Sequence, residues 1–191
     1  DGRNTVVTVP PIASVSNYTV SLPSASLSGS GTSSMTLSTP IGSVTIPNNM
    51  LSGTGLTGSV GITIGSADTS SLPESVQTAI GNRPLISITL TMDGRPVEWS
   101  NPDAPATISI PYTPTAEELV NPESIVIWYI DGSGNVVTMP SGHYDPQTGA
   151  VTFSITHFSE FAVAYNRVSF SDVATDAWYN KAVSFLAARR I

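Results

Sequence analysis

Cysteine is absent from this sequence of 191 residues. Disulfides, thiolate metal sites and cysteine nucleophiles are therefore excluded, and stability has to come from packing and backbone pairing. Charge is scarce as well. Asp, Glu, Lys and Arg make up 11% of the chain, and seven basic residues stand against fourteen acidic ones, for a net charge of −7 and a pI near 4.5. So few cations cannot build a surface that neutralises phosphates, which makes nucleic acid and anionic membrane poor partners. Long apolar runs are also missing, so no membrane insertion is expected, and the opening DGRNTVVTVPP lacks the charged-then-apolar layout of a signal peptide. The expectation is that this sequence begins at an excision boundary within a longer protein.

What the chain does have is Ser, Thr, Gly and β-branched residues, a balance common in exported β-proteins. Residues 1–40 carry two short β-branched runs, TVVTV and YTVSL, around the polar stretch SLPSASLSGSGTSS, and are expected to form N-terminal strands and a Ser/Gly-rich linker. From Ile41 the runs GSVTIP, SVGITIG, LISITLTMDG, PATISIPY, SIVIWYIDG, NVVTMP, AVTFSIT and FAVAY follow one another, most of them alternating apolar and small polar residues. A period of two, broken by turn residues, predicts an all-β fold, an antiparallel β-sandwich over residues 41–166. Pro73 and Pro114 stand at first-turn positions of two short connecting helices, PESVQTAIG and PTAEELV. After Asn166 the period changes: Trp178, Ala182, Val183, Phe185 and Leu186 have helical spacing, and Thr175 or Asp176 offers an N-cap. A short C-terminal helical segment is predicted there.

The C-terminal residues carry a resemblance. Phe170-Ser171-Asp172-Val173, Trp178-Tyr179, Ala182-Val183 and Phe185-Leu186 resemble the opening of an S-layer homology (SLH) domain, which starts F-x-D-V and runs through a Trp-containing helix to a final G-I. Arg190 stands where that family has glycine. The resemblance implies that residues 167–191 are a truncated SLH start and that the parent protein lies outside the bacterial cell, on the S-layer or cell wall. It further implies that cell-wall polymer is bound only through complete SLH repeats, which this fragment lacks.

Residues with potential chemistry cluster at the end of the AVTFSIT run. Val151, Phe153 and Ile155 share one face of that strand, and continuing the parity places His157 on the same apolar side as a partly buried histidine. Ser159 lies two residues on. The local sequence ITHFSEFAVAY resembles the self-cleaving GPS motif of the GAIN domain, H-L-T-x-F-A-V, and the H-F-S site of the related autoprocessing sandwich of death-domain and netrin-receptor proteins. Val126 and Trp128 fall in the place of the motif's first tryptophan-bearing strand, and Gly42–Leu51, GSVTIPNNML, is similar to the opening of the netrin-receptor sandwich. The resemblance implies that His157 is the base, Phe158 the residue whose carbonyl is attacked and Ser159 the nucleophile of an N-to-O acyl shift, with Phe161, Ala162 and Val163 as the buried strand that follows. The cysteines that frame the motif in receptors are missing here.

A second reading of the same residues makes His157 a satisfied histidine in a turn and the chain a non-catalytic spacer between an upstream enzyme or adhesin and the SLH anchor. Either reading implies upstream domains of the parent protein as partners, with no turnover enzyme and no cofactor. His143, in SGHYDPQTG, reads as a solvated loop residue, and two histidines without cysteine make a poor transition-metal set. Asp131-Gly132-Ser133-Gly134-Asn135 mimics the start of a calcium loop but has Gly142 where the closing acid should stand, so a hairpin turn explains it better. The sole lysine, Lys181, lies outside the sandwich strands, which closes the route to an isopeptide lock. Trp99, Tyr112, Trp128, Tyr129 and Tyr144 fit a sugar-stacking platform or, more ordinarily, core aromatics.

Overall fold

Alternating β-branched residues commit most of the chain to strands, and the computed structural model, which describes residues 2–191, is a β-sandwich of predominantly antiparallel strands. Among the described residues the strands form one six-stranded and one seven-stranded sheet, and the chain divides into two units.

The first unit comprises the chain up to Ala67, Ile86–Ile110 and Ser154–Glu160. Its strands are β1 (Asn4–Thr8), β2 (Asn17–Pro23), β3 (Ser34–Ser38), β4 (Ser43–Pro47), β5 (Ser59–Ser66), β6 (Leu85–Met92), β7 (Arg95–Val97) and β8 (Ala106–Pro111). One ladder runs β1-β3-β4-β8 and the other β2-β5-β6-β7; β1 pairs with β3 in parallel, and the other pairs here are antiparallel. The alternation sorts the faces. Val44, Ile46, Ile62, Ile64, Ile88 and Ile108 are buried, while the intervening hydroxyls point outward. With few charges to cover the outer faces, cross-strand hydroxyl pairs do so. Thr19 and Thr63 meet at 2.7 Å and Thr36 and Thr45 at 2.8 Å, pairs that contribute about 0.2–1 kcal/mol each. Gly65 sits on such a face because a Cβ there would lie 1.9 Å from the Asn17 side-chain oxygen.

Residues 4–38 thus supply β1, β2 and β3, all paired into sheets. The Ser/Gly-rich stretch also differs from its polar composition. A 3-10 turn over Ser24–Leu27 buries Leu27 to 2% exposure, and the Leu27 carbonyl accepts from the Leu51 N–H at 2.8 Å. One apolar residue gives an otherwise polar segment its foothold.

The second unit comprises Asp68–Leu85, Pro111–Phe153 and Phe161–Ile191. It contains β9 (Ile125–Ile130), β10 (Val136–Met139), β11 (His143–Asp145), β12 (Ala150–Ile155), β13 (Glu160–Tyr165) and the helices α1 (Glu74–Ile80), α2 (Ala116–Val120) and α3 (Asn180–Arg189). β9 pairs with β10 and β11 with β12, both antiparallel. Phe161, Ala162, Val163 and Ala164 are buried in succession, the pattern of a strand covered on both faces. The Phe161 ring lies 5.2 Å from Phe153 and 6.0 Å from Tyr129, so a continuous aromatic contact runs through this core.

Helices α1 and α2 form directly after the two prolines, but neither proline occupies a first turn: Pro73 is the N-cap of α1, and Pro114 precedes Thr115, the N-cap of α2. α2 has a capping box: the Glu118 N–H donates to Thr115 Oγ1, and the Thr115 N–H donates to Glu118 Oε2. Glu118 is buried and fully partnered, since Arg83 Nε and Nη2 each approach Oε1 at 2.7 Å and the Tyr112 hydroxyl donates to Oε2 at 2.7 Å. Burial alone would raise its carboxyl, but the hydrogen bonds from Tyr112, Thr115 and Arg83 outweigh burial and hold it below the ordinary carboxylate range. Burial and the same carboxylate push the Tyr112 hydroxyl up to about 12.

The third helix departs from expectation. It begins at Asn180, with Tyr179 at the N-cap and no side-chain cap, so Thr175 and Asp176 do not cap it. Successive turns, Val173 N–H to Phe170 O, Ala177 N–H to Ala174 O and Asn180 N–H to Ala177 O, occupy the chain ahead of it. Trp178 therefore lies outside the helix and is 92% exposed. Arg190 adopts the left-handed conformation (φ 58°, ψ 37°) that ends helices, which explains why glycine suits this position.

The Glu118 cluster has a pH signature. A carboxyl held low in the folded state stabilises the fold above its unfolded pKa, about 4.3, and that contribution is lost as pH falls through the lower folded value. Glu118→Gln is expected to cost about 2–4 kcal/mol at pH 7. Its unfolding free energy should also decline less steeply below about pH 4 than that of the wild type, as read from urea titrations at several pH values.

Candidate functional site

The turn between β12 and β13 carries His157, Phe158 and Ser159, and backbone bonds to distant parts of the first unit hold it. His157 forms an antiparallel bridge with Ser100, and the Asn101 N–H donates to the Thr156 carbonyl at 2.8 Å. On the far side, the Ser159 carbonyl accepts from the Ile88 N–H of β6 at 2.9 Å. All three residues are half-buried, in keeping with the partly buried histidine that strand parity predicts.

The Phe158 side chain is fixed by Trp99. Their ring centroids are 4.6 Å apart at an interplanar angle of 43°. Trp99 is itself buried at 4% exposure, and its indole N–H donates to the Met50 carbonyl at 2.9 Å, which the Asn101 amide also reaches at 3.1 Å. A groove of about 470 Å³ opens beside the turn, lined by Ile88, Leu90, Trp99, Phe158, Ser159 and Glu160 among others. Ser159 thus borders accessible space, while the peptide before it is held on both sides. Left-handed backbone among the described non-glycine residues falls elsewhere, at Ser14, Asp93 and Arg190.

The other candidates resolve into structural roles. Asp131 accepts from the N–H groups of Ser133 and Asn135 and from the Asn135 amide, closing the β9–β10 hairpin. These bonds hold its carboxyl below the usual range. His143 is exposed, on β11, with its Nδ1 3.1 Å from the Ser141 carbonyl. Lys181 reaches Glu123 at 3.8 Å from α3. Of the candidate aromatics, Trp99 is buried, Tyr112 is bonded to Glu118 and stands edge-on to Tyr144 at 6.4 Å, and Tyr129 packs against Phe161.

Two features escape a reading of the chain in order. Arg189, in the apparently ordinary ending AARRI, is 3% exposed, and no spacing rule marks it for burial. Its guanidinium donates to the carbonyls of Glu123 at 2.8 Å, Phe185 at 3.0 Å and Ile125 at 3.1 Å, and to Gly142 from Nε at 2.9 Å and from Nη2. It also lies 3.5 Å over the Phe185 ring. Burial pulls its pKa down to about 10, with Glu123 opposing, so the group keeps its charge at neutral pH. The second is a cleft of about 490 Å³ beside α3, where Asn121 and Ser124 meet residues of the 167–184 segment.

No protein-family model matches the chain. A segment of 71 residues, 37% of this chain, is 30% identical to part of an amylopullulanase from Thermoanaerobacterium thermosulfurigenes. The match spans 4% of that relative's length. Among the described residues, no helix is long and apolar enough to cross a membrane.

The Trp99 contacts predict which residue holds the turn. Trp99→Ala is expected to destabilise the protein by about 3–5 kcal/mol through lost packing, measured by chemical denaturation. Trp99→Phe keeps most of the ring contact and loses the bond to Met50, for about 1–2 kcal/mol. Equal losses for the two variants would show that the stack on Phe158 carries no weight.

Proposed function

We propose that this chain is a connector module of an exported bacterial surface protein, joining an upstream catalytic or adhesive region to an SLH anchor. The observation that carries the reading is Arg189. Its guanidinium binds carbonyls of α3 itself, of the turn ahead of β9, of β9 and of the turn ahead of β11, while the Asn166 amide donates to the Ala188 carbonyl at 2.7 Å. A helix fastened in this way passes on the orientation of the sheet it is tied to, which is what a spacer beside an anchor requires. The likeness to 4% of an amylopullulanase supports the coarser part of the reading, a small module within a longer protein.

Arg189→Ala leaves buried carbonyls without their donor and is expected to cost about 2–4 kcal/mol. The loss should appear first in α3, as fast amide exchange over Asn180–Arg189. Arg189→Lys should not restore protection, because one ammonium cannot reach carbonyls that the guanidinium fork spans. Unchanged exchange in α3 would remove the basis for the connector reading.

A second reading, self-cleavage between Phe158 and Ser159, is favoured by one observation: Trp99 and Ile88 hold the two sides of that peptide, on residues that match the H-F-S site. In this reading His157 takes the Ser159 hydroxyl proton, Oγ attacks the Phe158 carbonyl, the C–N bond breaks with proton return to the amine, and water hydrolyses the ester. Intact mass under denaturing conditions tests it. Cleavage yields pieces ending at Phe158 and starting at Ser159, abolished by Ser159→Ala and slowed by His157→Ala, with both variants folded. A single full-length mass in all three proteins, even after long incubation at mildly alkaline pH, leaves the spacer alone.

A further inference from the structure

Strand β1 ends the six-stranded sheet and pairs on one side only, in parallel with β3. A parallel ladder uses the backbone groups of alternate residues, and the two ends of this one set its phase. The Ser34 N–H donates to the Arg3 carbonyl at 2.8 Å, and the Val9 N–H donates to the Ser38 carbonyl at 2.9 Å. Thr5 and Val7 share that phase and face β3. Asn4, Val6 and Thr8 therefore turn their N–H and C=O groups outward, where no strand among the described residues pairs with them.

The side chains leave this edge open. Sheet edges are commonly blunted by charge, proline or a bulge, because a free row of donors and acceptors is a template for another strand. β1 reads NTVVT, its register with β3 is unbroken, and the first proline, Pro10, stands beyond its end. Val6 is 57% exposed, on the face where Asn4 accepts from the Ser34 and Thr36 hydroxyls. Val7, in register with the buried Leu37, is 38% exposed at the margin of the inner apolar face. The edge at β2 differs. There the outward backbone belongs to Asn17, Thr19 and Ser21, whose side chains are polar, and Pro23 lacks a donor.

The same phase selects the partner. Antiparallel pairing of β1 with another β1 about a two-fold axis at Val6 sets Val6 opposite Val6 and Asn4 opposite Thr8, so each outward N–H meets an outward C=O. Side chains match in this register too. Val6 meets Val6 on the outer face, and Thr5 meets Val7 on the inner one, which carries the apolar row of Leu37 across the axis. Symmetric pairing sets like against like, which a charged residue would oppose, and β1 carries none.

We infer that β1 is a homodimerisation edge, pairing antiparallel with the β1 of a second copy of this chain around Val6. One short strand from each copy makes an interface below the ~1,200 Å² of stable complexes, so the dimer is reversible, with a Kd on the order of 0.1 mM. The inference uses neither α3 nor the 157–159 turn and is independent of both functional readings.

Sedimentation equilibrium of the whole chain between about 0.01 and 1 mM should show monomer and dimer in exchange. Over the same range, exchange of the Asn4, Val6 and Thr8 amides should slow as concentration rises, while Thr5 and Val7, bonded to β3, stay protected throughout. Val6→Pro removes one outward N–H without breaking the β3 ladder and should leave a monomer, with a thermal melt confirming that it folds. Val6→Lys and Val6→Glu, at a position too exposed to endanger folding, should each weaken association about tenfold or more, equivalent to about 1.4 kcal/mol. Mixed in equal amounts, these two variants should associate again, because their side chains meet only if the axis lies at Val6. Thr19→Lys, on the β2 edge, should leave the dimer intact. A wild type that stays monomeric at about 1 mM, ten times the expected Kd, overturns the inference. So do a dimer that survives Val6→Pro, one that is lost with Thr19→Lys, exchange at Val6 that ignores concentration, and a Lys and Glu mixture that fails to associate.

Discussion

Burial of apolar strand residues is the constraint on which both units depend, on every second side chain in strands such as β4 and β8 of the first unit and on successive ones in β9 and β13 of the second. The chain has no disulfide and little charge, so the apolar faces formed by residues such as Val44, Ile62, Ile88 and Ile108 must supply most of the stability. The same alternation fixes register, because a slip of one residue would turn these side chains to solvent and their hydroxyl neighbours inward. Thr19 with Thr63 and Thr36 with Thr45 show the other half of the arrangement, outer faces kept soluble by paired hydroxyls instead of charges.

Against that background the few buried charges stand out. Glu118 is surrounded by donors, with Arg83 as counter-ion, Tyr112 as hydroxyl and the Thr115 backbone as cap, and it ties α2 to the loop after α1. Arg189 is the reverse case, a cation whose partners are carbonyls and an aromatic face. Carbonyl dipoles compensate a buried guanidinium less completely than a carboxylate does, and its depressed pKa records the difference. Such a residue favours geometry over net stability: the carbonyls are at fixed places in the fold, so α3 has one seat.

The 157–159 turn and the α3 cleft illustrate different relations between site and scaffold. The turn is fully built into the first unit, with Trp99, Ser100 and Ile88 each fixing one of its residues. Its backbone is thereby positioned, which serves a stable turn as well as a reacting one. The cleft has the opposite character, with the Ser124 hydroxyl buried without a partner in the protein and a large aromatic left exposed.

By itself the sequence determined the all-β class, most strand positions, both short helices and the placing of His157, Phe158 and Ser159 between two strands. Each of these follows from local periodicity, proline placement or turn chemistry, which neighbouring residues specify. Tertiary structure decided the rest. Leu27 within a polar stretch, Arg189 in a basic-looking tail and Ser124 at the end of a 3-10 turn are buried by segments as many as 66 residues away, as in the bond from Arg189 to Glu123. It also decided that α3 starts at Asn180 and leaves Trp178 in solvent, although the spacing of apolar residues favoured an earlier start. Periodicity reports which side chains can share a face; which face is covered depends on contacts that only the folded chain brings together.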